Sequence, residues 1–294
     1  MTEPHPTPRH DDLVYDVGLH TAQDTAFYLR KGFRVVAFEA NPELARAARE
    51  RFAEEVGAGR LVVVEGAIVE PATLAAGTTR VRFFANDTFS EWGTVCEDWA
   101  ERNVRLGTSN TVVEVDAIDF VAVLREHGVP HYMKIDIEGV DLVCVEALHA
   151  FAQRPKYLSI ESDKTSFERL QHEVDSLAGL GYDAFQAVEQ SSIPVEQRPP
   201  EPAREGAFVD HRFEHGASGL FGAELPGDWV SRDAVLRAYR GIFRGYRVAG
   251  DDGFLSRSKF PGAEIVRSIV RRVTKVFTGR DIAGWYDTHA RRPD

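Results

Sequence analysis

The chain is poor in cysteine, in long apolar runs and in positive charge, and each scarcity removes a class of function. Cys96 and Cys144 are the two cysteines among 294 residues and lie far apart. They supply neither a disulfide framework nor the paired spacing of a zinc site, and such usage fits a reducing compartment, so a cytoplasmic location is expected. No run approaches the roughly 18 apolar residues that suggest a membrane span. Residues 1–12 hold Pro, His and Asp where a signal peptide needs an apolar stretch, and they are expected to form a flexible lead-in. With 35 Lys and Arg against 46 Asp and Glu, the net charge is −11. A general nucleic-acid partner is therefore not expected, because neutralising phosphates needs a basic face.

What is present has the balance of a folded protein, with 43% hydrophobic and 28% charged residues. Short apolar runs alternate with amphipathic stretches, the pattern of βαβ units in a mostly parallel sheet. Strands are expected at residues 13–17, 34–39, 61–65, 132–136, 157–161 and 182–188, with helices between them. The fold class is α/β, a Rossmann-like sheet with helices on both faces and a C-terminal helical extension. Residues 13–189 would form the cofactor-binding core and residues 190–294 the extension. The extension opens with a proline-rich linker, contains a short strand candidate at 207–213, and has glycines spaced through 216–227 that suit a mobile lid over an acceptor site or, equally, a fixed loop. A basic amphipathic helix is expected around 264–277. It would pack on the core or form a homodimer contact, or else face an anionic acceptor or a membrane surface.

The first strand–turn–helix carries Asp16 and Gly18 at the carboxyl end of a strand, where ligands of doubly wound sheets bind. Glycine lets the backbone approach a ligand, and Asp16 can accept from a ligand ammonium or order the turn. Glu39 ends the second strand, where a carboxylate can take both hydroxyls of a ribose. NAD and S-adenosylmethionine share that ribose. However, the turn lacks the G-x-G-x-x-G that brings amides onto a pyrophosphate, and Asp16 would repel one. A cationic, phosphate-free cofactor suits the loop better, which leaves an NAD-dependent oxidoreductase as the weaker enzyme reading.

Three segments then stand in order: Asp16-Val17-Gly18-Leu19-His20-Thr21-Ala22, Val36-Ala37-Phe38-Glu39-Ala40-Asn41-Pro42 and Lys134-Ile135-Asp136-Ile137-Glu138-Gly139. On these residues the chain resembles the FkbM family of methyltransferases, whose corresponding patterns are D-x-G-A-N-x-G, V-x-A-F-E-x-N-P and K-I-D-x-E-G. The resemblance runs from about residue 13 to 188. It implies a class I fold, S-adenosylmethionine as donor, and an O-methyl product on a sugar or natural product. Carried onto this sequence, the cofactor site comprises Asp16, Gly18, His20, Glu39, Ala40, Ala67 and Asp136. His20 stands where the family usually has Asn, Ala22 where it has Gly, and Leu19 where it has a small residue. Those departures keep open a second reading, a binding protein that has lost its chemistry.

Asp136 ends one buried strand, and Glu161 and Asp163 follow the next, so their carboxylates can share a pocket. They can bind the acceptor or serve as its base, cap the following helices, pair with Lys134 and Lys164, or hold Mg²⁺ through Asp136, Glu161 and Asp163. His20, His211 and His215 are further candidates for the base. The N/D-P-P-Y signature common in amino-methylating enzymes is missing at this strand end, which favours oxygen over nitrogen. The loop 86–93 mixes amides, carboxylates and aromatic rings in a way that suits a sugar. The closing run Trp285-Tyr286-Asp287-Thr288-His289 is rich in functional side chains, but the sequence alone assigns it no role.

Overall fold

The computed structural model describes residues 4–137, 139–163, 166–249 and 285–293. Its strands are β1 (Arg9–Val17), β2 (Arg34–Glu39), β3 (Leu61–Glu65), β4 (Ala67–Ile68), β5 (Arg80–Asn86), β6 (Asn110–Ile118), β7 (Val129–Ile135), β8 (Tyr157–Glu161), β9 (Ala184–Glu189) and β10 (Tyr286–Arg291). The helices are α1 (Gln23–Arg30), α2 (Pro42–Arg51), α3 (Ala53–Gly57), α4 (Pro71–Ala75), α5 (Glu97–Arg105), α6 (Phe120–His127), α7 (Asp141–Ala147), α8 (Phe167–Gly179), α9 (Ile193–Glu196) and α10 (Arg232–Ala249).

The runs Leu13–Val17 of β1 and Tyr132–Ile135 of β7 are continuously buried, as a sheet covered on both faces requires. Seven strands form that sheet in the order β3-β2-β1-β7-β8-β10-β9. The pairs along β3-β2-β1-β7-β8 are parallel, and β10 runs antiparallel to both its neighbours. The expected Rossmann-like α/β architecture is thus present. A three-stranded sheet, β4-β6-β5, stands beside it. No helix among the described residues is long and apolar enough to cross a membrane.

Several expectations are corrected. The first strand begins at Arg9, not residue 13, and His5 already bridges to Phe151, so most of the expected lead-in is built into the fold. Backbone pairing holds this segment: Arg9 aligns with Val129 of β7 and the Val129 amide donates to the Pro8 carbonyl at 3.0 Å. Its side chains stay polar and largely exposed, so no apolar pattern announces it.

The sheet is also not built from residues 13–189 alone. β10 occupies the slot between β8 and β9, with Asp287 opposite Glu161 on one side and Val188 on the other. Thr288 on this strand closes a buried triangle of hydroxyls with Ser162 and Tyr239, with distances of 2.7–2.8 Å. Internal hydrogen bonding of this kind lets a polar strand lie in a core.

Residues 216–227 are not a detached flap. Phe221 is fully buried, stacks on Tyr132 with ring centres 4.5 Å apart, and meets Tyr28 edge-on. Glu224 pairs with Lys31 at 2.9 Å, both side chains without solvent exposure, and its other oxygen accepts the Arg204 and Glu205 amides. Gly222 has φ 61°, and a Cβ there would lie 2.4 Å from a Glu205 carboxylate oxygen, so close packing accounts for the glycine. Residues 207–213 form no strand, although Phe213 packs edge-on against Phe27. The helix expected around 264–277 lies outside the described residues.

Candidate functional site

At the carboxyl ends of the parallel strands lies a cavity of about 610 Å³. It is bounded by the β1–α1 turn, the ends of β2, β7 and β8, the loop after β5, the start of β10 and the segment 215–218. The β1–α1 turn is shaped by contact with β7. Gly18 has φ 96°, and a Cβ there would come within 1.9 Å of the Asp136 carbonyl oxygen. Glycine is thus demanded by the neighbouring strand, a stricter reason than the expected approach to a ligand. His20 and Ala22 carry left-handed φ values of 50° and 61°. These are the positions where the related family usually has Asn and Gly, the residues that tolerate such backbone. With side chains other than Gly or Asn there, His20 and Ala22 carry this backbone at a cost of about 1–2 kcal/mol each.

Asp16 stands behind the cavity wall rather than on it. Its carboxylate accepts from the Thr25 hydroxyl at 2.6 Å and from the Lys134 ammonium at 3.2 Å, and it is fully buried. Lys134 is the hub of this end. It also donates to the Gly18 carbonyl at 2.9 Å and lies 3.6 Å from Asp24 and 3.8 Å from Asp136. Burial alone would lower the Lys134 pKa, but Asp16, Asp136 and Asp24 outweigh it and hold the ammonium well above its ordinary range. Asp24 is pushed up to about 6 by burial, against the pull of Lys134. Its two oxygens accept the Ser218 amide at 3.0 and 3.1 Å, which fixes the segment 216–218 onto the start of α1.

Glu39 faces the cavity from the end of β2. One oxygen accepts the His20 amide and the other the Asn41 amide, each at 2.8 Å. Burial raises its pKa to about 7, against the stabilising effect of those two amides. Around it Phe38, Leu44, Ile68 and Phe83 form an apolar slot, with Ala40 and Ala67 at its edge. Asp136, Glu161 and Asp287 line the opposite part, together with Gln190, Tyr246 and Trp285.

The remaining candidates divide. His20 lines the cavity, its ring nitrogen 2.7 Å from the Ser90 hydroxyl, and His215 lines it beside Trp285. His211 does not line it; it packs on Phe27 and Phe213 and lies 3.0 Å from an Arg30 guanidinium nitrogen. Asp163 is turned away, accepting from Arg169 at 2.9 Å and from the Ser166 amide at 2.7 Å. No group of three His, Cys, Asp or Glu side chains among the described residues is arranged to hold a metal ion. The expected Mg²⁺ triad of Asp136, Glu161 and Asp163 therefore does not assemble.

In the loop after β5, Asn86 and Asp87 hydrogen-bond to neighbouring loop and strand residues. Ser90, Trp92, Gly93, Thr94 and Val95 are the residues between β5 and α5 that line the cavity. One residue with a clear structural role escaped sequence reasoning. Asp141 holds the turn after β7 by accepting the Ile137 and Gly139 amides, signalled only by its place at a helix start. Asp287 belongs to the closing run singled out above, but its strand carries no apolar alternation, so its place in the sheet was not legible.

No curated protein sequence matches the chain. Among solved structures, it is similar to an S-adenosylmethionine-dependent methyltransferase from Geobacter sulfurreducens in complex with S-adenosyl-L-homocysteine, at 11% identity over 98% of this chain and 86% of that one, TM-score 0.32. It is also similar to a precorrin-6y C5,15-methyltransferase from Geobacter metallireducens, at 14% identity over 63% and 70%, TM-score 0.31. Likeness at that level adds nothing to the assignment. The model of the methyltransferase FkbM domain matches residues 16–186, which contain the β1–α1 turn, Glu39, Lys134 and Asp136. More than half of the chain is covered by that match, and the protein belongs to the FkbM methyltransferase family.

Proposed function

We propose that the protein transfers a methyl group from S-adenosylmethionine to a hydroxyl oxygen of a sugar or natural-product acceptor. The observation that carries this reading is that Glu39 and the carboxylates Asp136 and Glu161 face one cavity from opposite sides. The residues present fit the cofactor. Glu39 would take the ribose hydroxyls, and the slot of Phe38, Leu44, Ile68 and Phe83 would take a flat apolar base. The carboxylates beyond would favour a cation. When bound, S-adenosylmethionine supplies a methyl group activated by a sulfonium. A cavity lined by Asp24, Glu39, Asp136, Glu161 and Asp287 against Lys134 and Arg102 disfavours a pyrophosphate, which speaks against NAD.

On the acceptor side, carboxylates and Gln190 accept hydrogen bonds from hydroxyls, while Trp92, Tyr246 and Trp285 offer ring faces to C–H surfaces. The segment 215–218, anchored by Asp24, excludes water from that end. The strained His20 and Ala22 are the observation behind the competing reading, a binder without chemistry. Incubation with methyl-labelled S-adenosylmethionine and parallel panels of neutral polyhydroxyl and amine acceptors separates them. An O-methyl ether identified by NMR is the expected product. A methylated amine would sink the oxygen assignment, and cofactor binding with no transfer to any acceptor would favour the binder.

A further inference from the structure

The cavity extends past the part of the chain that carries the family likeness, which ends at residue 186. Asp287 on β10 also lines it. Its residue is only 7% exposed, and no hydrogen bond or ion pair reaches its carboxylate among the described residues. A buried carboxylate without a donor is costly, and here it is aimed into a cavity. β10 sits four strands from β2, about 19 Å across the sheet at roughly 4.8 Å per strand. Asp287 is therefore remote from Glu39 and stands with Glu161, directly opposite it in the ladder, at the acceptor end.

We infer that Asp287 is the catalytic residue on the acceptor side: its carboxylate receives the hydrogen bond of the acceptor hydroxyl and takes its proton during methyl transfer. The inference rests on the oxygen reading above. In that step the O–CH₃ bond forms as the S–CH₃ bond breaks, the sulfonium becomes a neutral thioether, and the hydroxyl proton passes to Asp287. The neighbours distinguish Asp287 from Asp136. Asp136 is paired with the Lys134 ammonium at 3.8 Å, whereas no cation reaches the Asp287 carboxylate at ion-pair distance among the described residues. Burial, then Asp136 and Glu161, push Asp287 well above the ordinary carboxylate range, with Lys134 opposing. That shift moves it toward the basicity that proton removal near neutral pH needs.

The test uses the full chain and two probes, S-adenosylhomocysteine and sinefungin, which carries an ammonium-bearing carbon in place of the methyl sulfonium. Calorimetry on the parent and on Asp287→Asn should show S-adenosylhomocysteine affinity unchanged within about twofold and the preference for sinefungin over S-adenosylhomocysteine reduced about tenfold. Asp287→Glu, which keeps the charge, should retain the preference and serves if the amide variant is poorly folded. An unchanged preference in a variant that still binds S-adenosylhomocysteine would place Asp287 away from the transferred methyl and overturn the inference alone. If the parent binds neither probe, the cofactor reading falls and this inference with it. With any acceptor methylated in the panel above, Asp287→Asn should lower kcat at least a hundredfold without raising KM for S-adenosylmethionine. Retained turnover overturns the proton-accepting role.

Discussion

Glu39 accepts the backbone amide of His20 at 2.8 Å, so the carboxylate at the end of β2 holds in place a residue of left-handed backbone in the β1–α1 turn. Each Glu39 oxygen carries one amide hydrogen bond, which leaves acceptor capacity on both for a ribose diol. Glu39→Ala is expected to weaken S-adenosylmethionine binding by about 2–4 kcal/mol, through loss of charge-assisted bonds to two hydroxyls. Calorimetry reads this directly. Parent-like affinity in the variant would remove Glu39 from the ribose.

The same carboxylate makes stability depend on pH. Burial raises Glu39 from 4.5 to about 7 in the folded chain. A raised folded-state value means that the folded chain binds the proton more tightly. The contribution is then complete below about pH 4.5 and is lost as pH rises through 7. The full span is on the order of 3 kcal/mol. Asp24, raised to about 6, and Glu173, raised to about 8, act in the same direction, each chiefly through burial. Tm of the cofactor-free protein should therefore fall as pH rises from about 4.5 to 8, and Glu39→Gln should flatten the part of that fall between about 4.5 and 7. A Tm that rises over this interval would contradict the assignment.

Lys134 offers a sharper structural test. It is the cation that Asp16, Asp24 and Asp136 share, in a buried position. Lys134→Met leaves those carboxylates facing one another and should cost about 3–5 kcal/mol, the range for removing one partner of a buried ion pair. Adding Asp16→Asn should recover part of the loss, because it removes one of the uncompensated charges. Denaturant melts of the parent, the two single variants and the double variant measure the coupling. Strict additivity would show that Lys134 and Asp16 are not a pair in solution.

Legibility in the sequence followed the apolar period and the motif spacing. The parallel strands that end in Glu39, Asp136 and Glu161 are buried runs, and their carboxylates stood out as polar residues closing apolar segments. Asp16 and Gly18 were legible as a turn, but their partners were not. Nothing local shows that Gly18 abuts the Asp136 carbonyl or that Lys134 fills the space between three aspartates. β10 stayed hidden for a physical reason: Asp287, Thr288 and His289 are buried with polar side chains, and a strand without apolar alternation gives no periodic signal. The glycines of 216–227 left a lid and a fixed loop equally open. Glycine marks close approach as readily as motion, and Gly222 against Glu205 is an instance of the first.

That distinction changes what truncation should do. If the segment after Glu189 were an appended lid, a chain ending there would fold and bind the cofactor. In the structure the lost part includes β10, so β9 would lose its partner strand and β8 one of its two, leaving unsatisfied backbone groups. It also includes Phe213, Leu220, Phe221 and Leu225, all buried against α1 and the sheet, at roughly 1.5–3 kcal/mol of burial each. Lys31 would lose Glu224 and remain a buried cation with one backbone carbonyl fewer, since Ala207 is removed as well. Each loss is comparable with a large part of a domain's net stability, about 5–15 kcal/mol. A chain ending at Glu189 should therefore show no cooperative melt by circular dichroism and no S-adenosylhomocysteine binding. Shortening at 292, beyond β10, should leave both intact. A folded, cofactor-binding 1–189 fragment would show that the C-terminal third is dispensable to the sheet it completes here.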